Sequence, residues 1–169
     1  MPPSAHSASV KVVVSDAGPL ISLGRLDLLA LLPEVFAQVQ VPTAVLDECM
    51  ARPDNADTSR IQAALDNRWL VVCDAVPIVA DGLDPGECAA IGRAMQIGAR
   101  LLADDQAARH YAAQMGLEVI GTLGVLVLAK RLGLLPAVQP LVQRLRAGGQ
   151  RLSHTAVLQA LAAAGEAPD

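Results

Sequence analysis

The stretch from Val10 to Leu23, VKVVVSDAGPLISL, constrains the fold of this chain more than any other segment. A short run rich in valine is typical of a strand that is buried on both faces within a parallel sheet. The run ends at Asp16, and Pro19 suits the first turn of a following helix. Ligands of open α/β sheets bind beyond the carboxyl ends of the strands, so Asp16 is a candidate for chemistry. The alternative is that Asp16 caps the helix.

A chain of 169 residues is long enough for one domain and short for two. We expect a loose tail over residues 1–9, a domain over 10–150, and a C-terminal helix in 151–169 that packs on the domain or on a partner. No apolar run reaches the length of a membrane span. The hydrophobic fraction of 53% leaves apolar surface for a partner or a homodimer.

The three cysteines, Cys49, Cys73 and Cys88, match no zinc or redox spacing, and their aliphatic neighbours favour buried structural roles. Free cysteines predict a reducing compartment, the cytoplasm. The net charge of −4 argues against a protein that simply coats nucleic acid. It is compatible with an enzyme that places a metal between its carboxylates and a phosphate.

Strands and helices alternate along most of the chain, which predicts an α/β fold with a central parallel sheet of four to five strands. After the first strand, we expect strands at 35–41, 69–73, 101–103 and 117–120, with 76–79 extending or following the third. Pro33 is expected to close the first helical region. Helices are expected between the strands, and an all-helical region follows residue 122. The expected architecture is three-layered, α/β/α, with helices on both faces and a helical C-terminal tail.

Four acids fall at strand ends or near helix starts. Asp16 and Asp104 end strands, whereas Glu48 and Glu87 lie on helices that begin at Pro42 and Asp84. Each acid also has a structural explanation: Asp84 and Glu87 have the spacing of a capping box, and Asp104 or Asp105 suits the cap of the next helix. Considered together, four carboxylates at one crevice predict a hard divalent cation, Mg²⁺ or Mn²⁺. Such a cation supports phosphodiester hydrolysis by activating water and stabilising phosphate charge.

Five blocks of sequence resemble the PIN-domain family, in its poorly characterised prokaryotic branch related to VapC-like toxins. They are VSDAGPLI at 14–21, VPTAVLDE at 41–48, GECAAI at 86–91, LLADD at 101–105, and VIGTLG at 119–124. The resemblance implies a three-layer PIN-like fold and a metal-dependent ribonuclease. Many prokaryotic members are toxins of toxin–antitoxin pairs, so RNA, a cognate antitoxin and a second copy of the chain are the expected partners.

The resemblance assigns the acidic quartet residue by residue. Asp16, Glu48, Glu87 and Asp104 match the catalytic and metal-binding acids, with Asp105 as a fifth metal-binding candidate. The chain departs from the family in two places: PIN nucleases often have a hydroxyl residue where this chain has Ala17, and the third acid is more often aspartate than glutamate.

Three further residues are candidates for binding the substrate: Ser22, Arg109 and Thr122. Ser15, Ser22 or Thr122 are the candidates for the hydroxyl that Ala17 does not provide. Arg109 follows Asp104 by more than one helical turn and either contacts a phosphate, pairs with an acid or is a solvated surface residue. The basic residues of the C-terminal helices are explained by helix-end charge or by guidance of RNA.

Two other interpretations of the chain remain. One is a non-catalytic PIN-like module whose apolar helices dock an antitoxin or a second copy. The other is a phosphoryl-aspartate receiver. Two features disfavour it: Asp104 and Asp105 come late in the chain, and no lysine is placed at a strand end.

Overall fold

Five parallel strands form one sheet in the computed structural model, which describes residues 11–169. They are β1 (Val12–Ser15), β2 (Gln38–Pro42), β3 (Leu70–Cys73), β4 (Arg100–Leu102) and β5 (Val119–Ile120). Their order across the sheet is β3-β2-β1-β4-β5, so the valine-rich strand β1 lies in the centre. Val13 and Val14 are fully buried, as expected for a strand covered on both faces.

Nine α-helices of the described residues surround this sheet. They are α1 (Ala17–Arg25), α2 (Leu32–Val35), α3 (Thr43–Cys49), α4 (Ala56–Asp66), α5 (Pro85–Ile97), α6 (Gln106–Gln114), α7 (Thr122–Arg131), α8 (Gln139–Ala147) and α9 (His154–Ala163). Helix α1 packs against α4 and α7, whereas α5 lies on β1, β2 and β4 and contacts α6. Right-handed crossovers that advance in opposite directions along a sheet place helices on its two faces. The predicted α/β fold with a five-stranded parallel sheet is confirmed.

Several predicted element bounds were wrong. The second strand covers Gln38–Pro42 rather than 35–41, because α2 extends to Val35. Pro33 does not close the first helical region but lies in the first turn of α2, where a missing N–H costs nothing. Residues 76–79 form no strand: Pro77 lacks the N–H that a strand would donate, and Ile78 instead donates its backbone N–H to the Cys88 carbonyl of α5.

The chain ends are placed as follows. The expected tail at 1–9 lies outside the described residues. Helix α9 packs against α7. Among residues 11–169, no helix has both the length and the apolar character needed to span a membrane.

Candidate metal centre and groove

The sequence places Asp16 and Asp104 at the point where the strand order reverses. Strands β1 and β4 are parallel neighbours, and Ser15 pairs with Leu102. The chain runs from β1 towards β2 and β3 on one side and reaches β4 and β5 on the other. A crevice opens at such a switch point beyond the carboxyl ends of the strands. Asp16 follows β1 directly, and Asp104 follows β4 after one intervening residue.

Asp16 is held rigidly and does not cap α1. Its backbone N–H donates to the Leu102 carbonyl at 2.8 Å, which fixes it to the end of β4. Its side chain makes no capping hydrogen bond to α1 although it stands at the N-cap position. The residue is only 6% exposed, and Oδ1 is buried without a hydrogen-bond partner. The carboxylate therefore stands at the N-cap position of α1 without the hydrogen bond that a helix cap would make.

Glu48 and Asp84 bring their carboxylates to Asp16. One oxygen from each of the three residues lies within 4.8 Å of the other two. A Cβ built on Gly86 would lie 2.9 Å from Glu48 Oε2, 3.4 Å from Asp84 Oδ1 and 3.6 Å from Asp16 Oδ1. The three oxygens thus surround one point at the start of α5, and the absence of a side chain at Gly86 keeps that point open.

The crowding of acids changes their proton affinity. Burial raises the pKa of Asp16 to about 7; the Ala17 backbone N–H opposes this shift, and the charges of Asp84, Glu87 and Glu48 add to it. Burial also raises the pKa of Glu48, with Asp84 as the second cause. Carboxylates that repel one another in this way are neutralised either by protons or by a cation.

Glu87 forms the capping box that the sequence predicted as the alternative. Its Oε2 accepts the backbone N–H of Asp84 at 2.9 Å, and Asp84 Oδ1 accepts the backbone N–H of Glu87 at 2.7 Å. Burial raises the pKa of Glu87; the Asp84 N–H opposes that shift, and the charges of Asp84, Asp105 and Glu48 add to it. Glu87 therefore lies in the same negative field, although it is not one of the three converging acids.

Asp104 is held by Thr122, the first residue of α7. Thr122 donates its backbone N–H to Asp104 Oδ1 at 2.7 Å and its hydroxyl to Oδ2 at 2.6 Å. A Cβ built on Gly18, next to the site in α1, would lie 3.8 Å from Asp104 Oδ2. Thr122 is thus the only one of the three hydroxyl candidates whose side chain bonds a carboxylate of the predicted quartet in residues 11–169.

The remaining predicted residues have other contacts. Asp105 caps α6, accepting the backbone N–H of Ala108 at 2.9 Å. Arg109 donates Nη1 to the Ala103 carbonyl at 2.8 Å, beside Asp104. Ser22 donates its hydroxyl to Gln150 at 2.6 Å and makes no bond to an acid within the described chain.

A groove of about 1080 Å³ opens beside Asp104 and Asp105. It runs between β5, α7 and α9, with apolar side chains such as Leu123, Val127 and Leu152 in its lining. Four arginines also line it: Arg100, Arg109, Arg131 and Arg151. Arg100 is paired with Glu118, which also lines the groove. The lining includes Asp104 and Asp105 but none of the three converging acids. The groove therefore suits an anionic ligand that reaches Asp104.

Sequence reasoning missed Asp84 as a member of the acidic group. Asp84 was interpreted only as a helix cap, and the structure shows that it is a cap and a neighbour of Glu48 at the same time. The available signal was Gly86. Glycine lowers the stability of a helix, so a glycine in the first turn indicates that another group approaches the backbone closely there.

The three converging acids fit a divalent cation. All of the donors are carboxylate oxygens, the ligands that Mg²⁺ and Mn²⁺ prefer. The orphaned Oδ1 of Asp16 has no protein donor to offset its burial. Gly86 leaves room at the point that the oxygens surround. Asp16 and Glu48 belong to the predicted acidic set, whereas Asp84 was not predicted, and Glu87 and Asp104 lie outside this group of three.

Comparisons with known proteins concern the fold and the family of the chain. The chain is similar in structure to a PilT N-terminus domain protein, SSO1118, from the hyperthermophilic archaeon Sulfolobus solfataricus P2. The two share 23% sequence identity with a TM-score of 0.51, over 68% of this chain and 90% of the other. This likeness concerns the fold. No functionally curated protein is a significant match. The family model described as PIN domain matches residues 12–166, nearly the whole described chain, and this protein therefore belongs to the PIN-domain family.

Proposed function

We propose that this protein is a divalent-metal-dependent endoribonuclease that uses Mg²⁺ or Mn²⁺. PIN domains are generally nucleases, and the observation that carries the finer proposal is the unpartnered, buried Oδ1 of Asp16 facing Glu48 and Asp84. A buried carboxylate oxygen without a donor is costly unless something positive binds it. The proposed ligand is therefore a cation, and the proposed reaction is hydrolysis of RNA phosphodiester bonds.

The acids of this chain have separate tasks in the proposed reaction. Asp16 and Glu48 hold the cation, which when bound would lower the pKa of water and stabilise charge on a phosphate. Glu87 contributes negative charge from the adjacent helical turn. Asp104 is fixed by Thr122 at the opening of the groove, where a carboxylate orients a water molecule by accepting its hydrogen bond. Asp105 keeps α6 in place through its cap.

The groove supports RNA as the substrate. Arg109 uses one of five guanidinium N–H donors on the Ala103 carbonyl, so its remaining donors suit a phosphate oxygen near Asp104. Arg151 lines the same groove farther along and is exposed. The chain holds one tryptophan and one tyrosine, too few aromatic rings for a base-stacking platform. Recognition would therefore depend on the backbone and shape of the RNA.

An RNA cleavage assay tests this proposal. Purified protein is incubated with structured RNAs and Mn²⁺, beside Asp16→Asn, Asp104→Asn and an EDTA control. We expect cleavage by the wild type alone, lost by at least about a hundredfold in either variant, as for removal of a group that stabilises the transition state. DNA of the same sequence shows whether the activity is specific to RNA. Cleavage by both variants at the wild-type rate would refute the assignment.

We also propose a toxin or RNA-processing role in the cytoplasm, with an antitoxin and a second copy of the chain as partners. Three cysteines without a disulfide among them and exposed apolar side chains, such as Leu132 and Leu134, support this. Induced expression of the wild type and of Asp16→Asn distinguishes the roles. Growth arrest by the wild type alone supports a toxin, whereas unaffected growth with an active nuclease supports RNA processing.

The second candidate is a non-catalytic binding module. The observation that favours it is Ala17, buried beside Asp16 where PIN nucleases often carry a hydroxyl. In that case the groove beside α7 and α9 would bind protein rather than RNA. Calorimetric titration with millimolar Mn²⁺ separates the candidates, because a module would give no binding heat and a nuclease would give heat that Asp16→Asn abolishes.

A further inference from the structure

The start of α5 carries two acids, Asp84 and Glu87, that differ in how they are held. Asp84 precedes the helix and is exposed, whereas Glu87 is buried in the first turn. The resemblance to PIN domains assigned Glu87 to the metal and left Asp84 as a cap. The contacts of the two side chains indicate the opposite division of tasks.

Asp84 shares the opening at Gly86 with the two acids already described. Its Oδ1, which also accepts the backbone N–H of Glu87 at 2.7 Å, lies 3.4 Å from the Cβ position of Gly86. The corresponding values are 2.9 Å for Glu48 Oε2 and 3.6 Å for Asp16 Oδ1. Asp16 is nine-tenths buried, and its Oδ1 has no hydrogen-bond partner. An unpartnered oxygen that faces two further carboxylates is stabilised by a cation that binds it, and Asp84 is the third carboxylate at that point.

Glu87 is engaged elsewhere. Its Oε2 accepts the backbone N–H of Asp84, and this hydrogen bond fixes the position of Asp84 at the N-cap of α5. No oxygen of Glu87 belongs to the group in which Asp16, Glu48 and Asp84 lie within 4.8 Å of one another, within the part of the chain that the structure describes. Glu87 therefore acts on the site through Asp84.

We propose that Asp84 is the third ligand of the cation held by Asp16 and Glu48, and that Glu87 is a positioning residue that orients Asp84. This inference rests on the metal site of the proposed function and assigns its ligands differently from the family pattern. It explains why Gly86 carries no side chain: a methyl group there would occupy the point that the three oxygens surround.

Calorimetric titration of the EDTA-treated full chain with MnCl₂ tests the assignment. Asp84→Asn keeps an oxygen for the cap, since Asn and Asp are equally good N-caps, but loses the charge. We expect its Mn²⁺ affinity to fall about 10- to 100-fold, while Glu87→Gln, which keeps the acceptor for the Asp84 N–H, stays within about threefold of wild type. Glu87→Ala loses that acceptor and should bind about tenfold more weakly, so rescue by glutamine identifies a positioning role.

Two glycine variants test the opening without changing any charge. Gly86→Ala should weaken Mn²⁺ binding at least about tenfold, because its Cβ would lie 2.9 Å from Glu48 Oε2 at the point that the three oxygens surround. Gly18→Ala is its control, because a Cβ there makes ordinary contacts of 3.8 Å with Asp104. Asp81→Asn, an exposed loop residue, controls for loss of one negative charge. Thermal unfolding and circular dichroism verify that each variant is folded.

The possible outcomes separate this inference from the function on which it rests. Wild-type affinity in Asp84→Asn, or equal losses in Asp84→Asn and Glu87→Gln, would overturn the assignment of ligands while the metal site stands. Absence of Mn²⁺ binding by the wild type would overturn both the metal site and this inference. Loss in Asp84→Asn with retention in Glu87→Gln supports the assignment.

Discussion

At the scale of single residues, Asp16 combines a fixed backbone with a buried carboxylate that opposes folding. Its backbone completes the junction of β1 and β4, while its carboxylate is buried among other acids. Burial of a charge without a partner opposes folding, whereas binding of a cation or a proton relieves the cost. The same residue therefore links pH to stability and, in the proposed function, links metal binding to stability as well.

The first prediction concerns this linkage. With cations chelated by EDTA, the folded chain keeps the Asp16 proton up to a pKa of about 7, whereas the unfolded chain releases it near 3.8. Because the folded state binds the extra proton between those values, the free energy of unfolding should fall as pH rises from about 4 to 7 and then level off, by a few kcal/mol at most. Urea unfolding of the wild type and of Asp16→Asn at several pH values measures this slope.

Asp16→Asn is the control that assigns the pH dependence to Asp16. The amide that Asp16→Asn introduces cannot titrate, so the slope should be shallower in that variant, while the raised pKa values of Glu48 and Glu87 contribute with the same sign to both proteins. Equal slopes in the two proteins would mean that Asp16 does not carry the linkage.

The second prediction concerns Thr122. Thr122→Val removes the hydroxyl bond to Asp104 Oδ2 and nearly keeps the shape of the fully buried side chain. A bond to a charged acceptor contributes about 1.5–3 kcal/mol, so the free energy of unfolding should fall by that amount and RNA cleavage should weaken. Thr122→Ser keeps the hydroxyl and should retain most of both. If Thr122→Ser and Thr122→Val have the same free energy of unfolding in urea, the hydroxyl is not the group that holds Asp104.

At the scale of secondary structure, the sequence predicts the types of element better than their ends. The valine-rich strand and the helix start at Asp84, Pro85 and Gly86 have local signals, and both are found as expected. The end of the first helical region depends on how α2 packs, and the irregular course of residues 76–79 depends on α5, where Val76 approaches Gly92. Contacts between distant segments leave no local periodicity to recognise.

The same distinction holds for the candidate site. Asp16 and Asp104 could be paired from the sequence because parallel strands end at one edge of a sheet. The partners of Thr122 and Asp84 could not, because each contact joins segments that are brought together only by the crossover connections of the fold.

The third prediction concerns the start of α8. Val138 stands at the N-cap of α8, and its side chain has no hydrogen-bond acceptor. The carboxylate of Glu166 takes the place of a capping side chain: it accepts the backbone N–H groups of Val138 at 2.7 Å and Gln139 at 3.0 Å. Lys130 also donates to Glu166 at 2.9 Å. Partial burial would raise the pKa of Glu166, but these donors outweigh it, and the pKa lies below its usual value. A C-terminal residue thus joins α7 and α8.

Glu166→Ala should lower the free energy of unfolding by about 1–2 kcal/mol, the usual cost of removing a cap. Hydrogen exchange at the amides of Val138 and Gln139 should accelerate at the same time. Glu166→Gln keeps an oxygen acceptor and loses only the charge, so it should show the smaller change. Unchanged exchange in the alanine variant would show that α8 begins independently of the C-terminal segment.

At the scale of the whole molecule, the two edges of the sheet differ in the surface that they offer. Strand β5 is short and borders the groove, while β3 forms the opposite edge with β2 as its neighbour. Val71 and Val72 of β3 are 36% and 46% exposed, and Val79, shortly after it, is 97% exposed. A strand edge with apolar side chains and no protective charge within it is prone to pair with another strand.

The fourth prediction is that the homodimer expected for this chain involves the β3 edge. Sedimentation velocity over a concentration series should show reversible self-association of the wild type. Val72→Lys places a charge on the exposed edge and should shift the protein to the monomer, since lysine is the residue with which natural edges avoid pairing. Leu158→Lys, at an exposed position on α9, is the matched control and should leave self-association unchanged. A dimer that persists in Val72→Lys would refute the β3 edge as the interface. A dimer that only Leu158→Lys disrupts would place the interface on α9 instead.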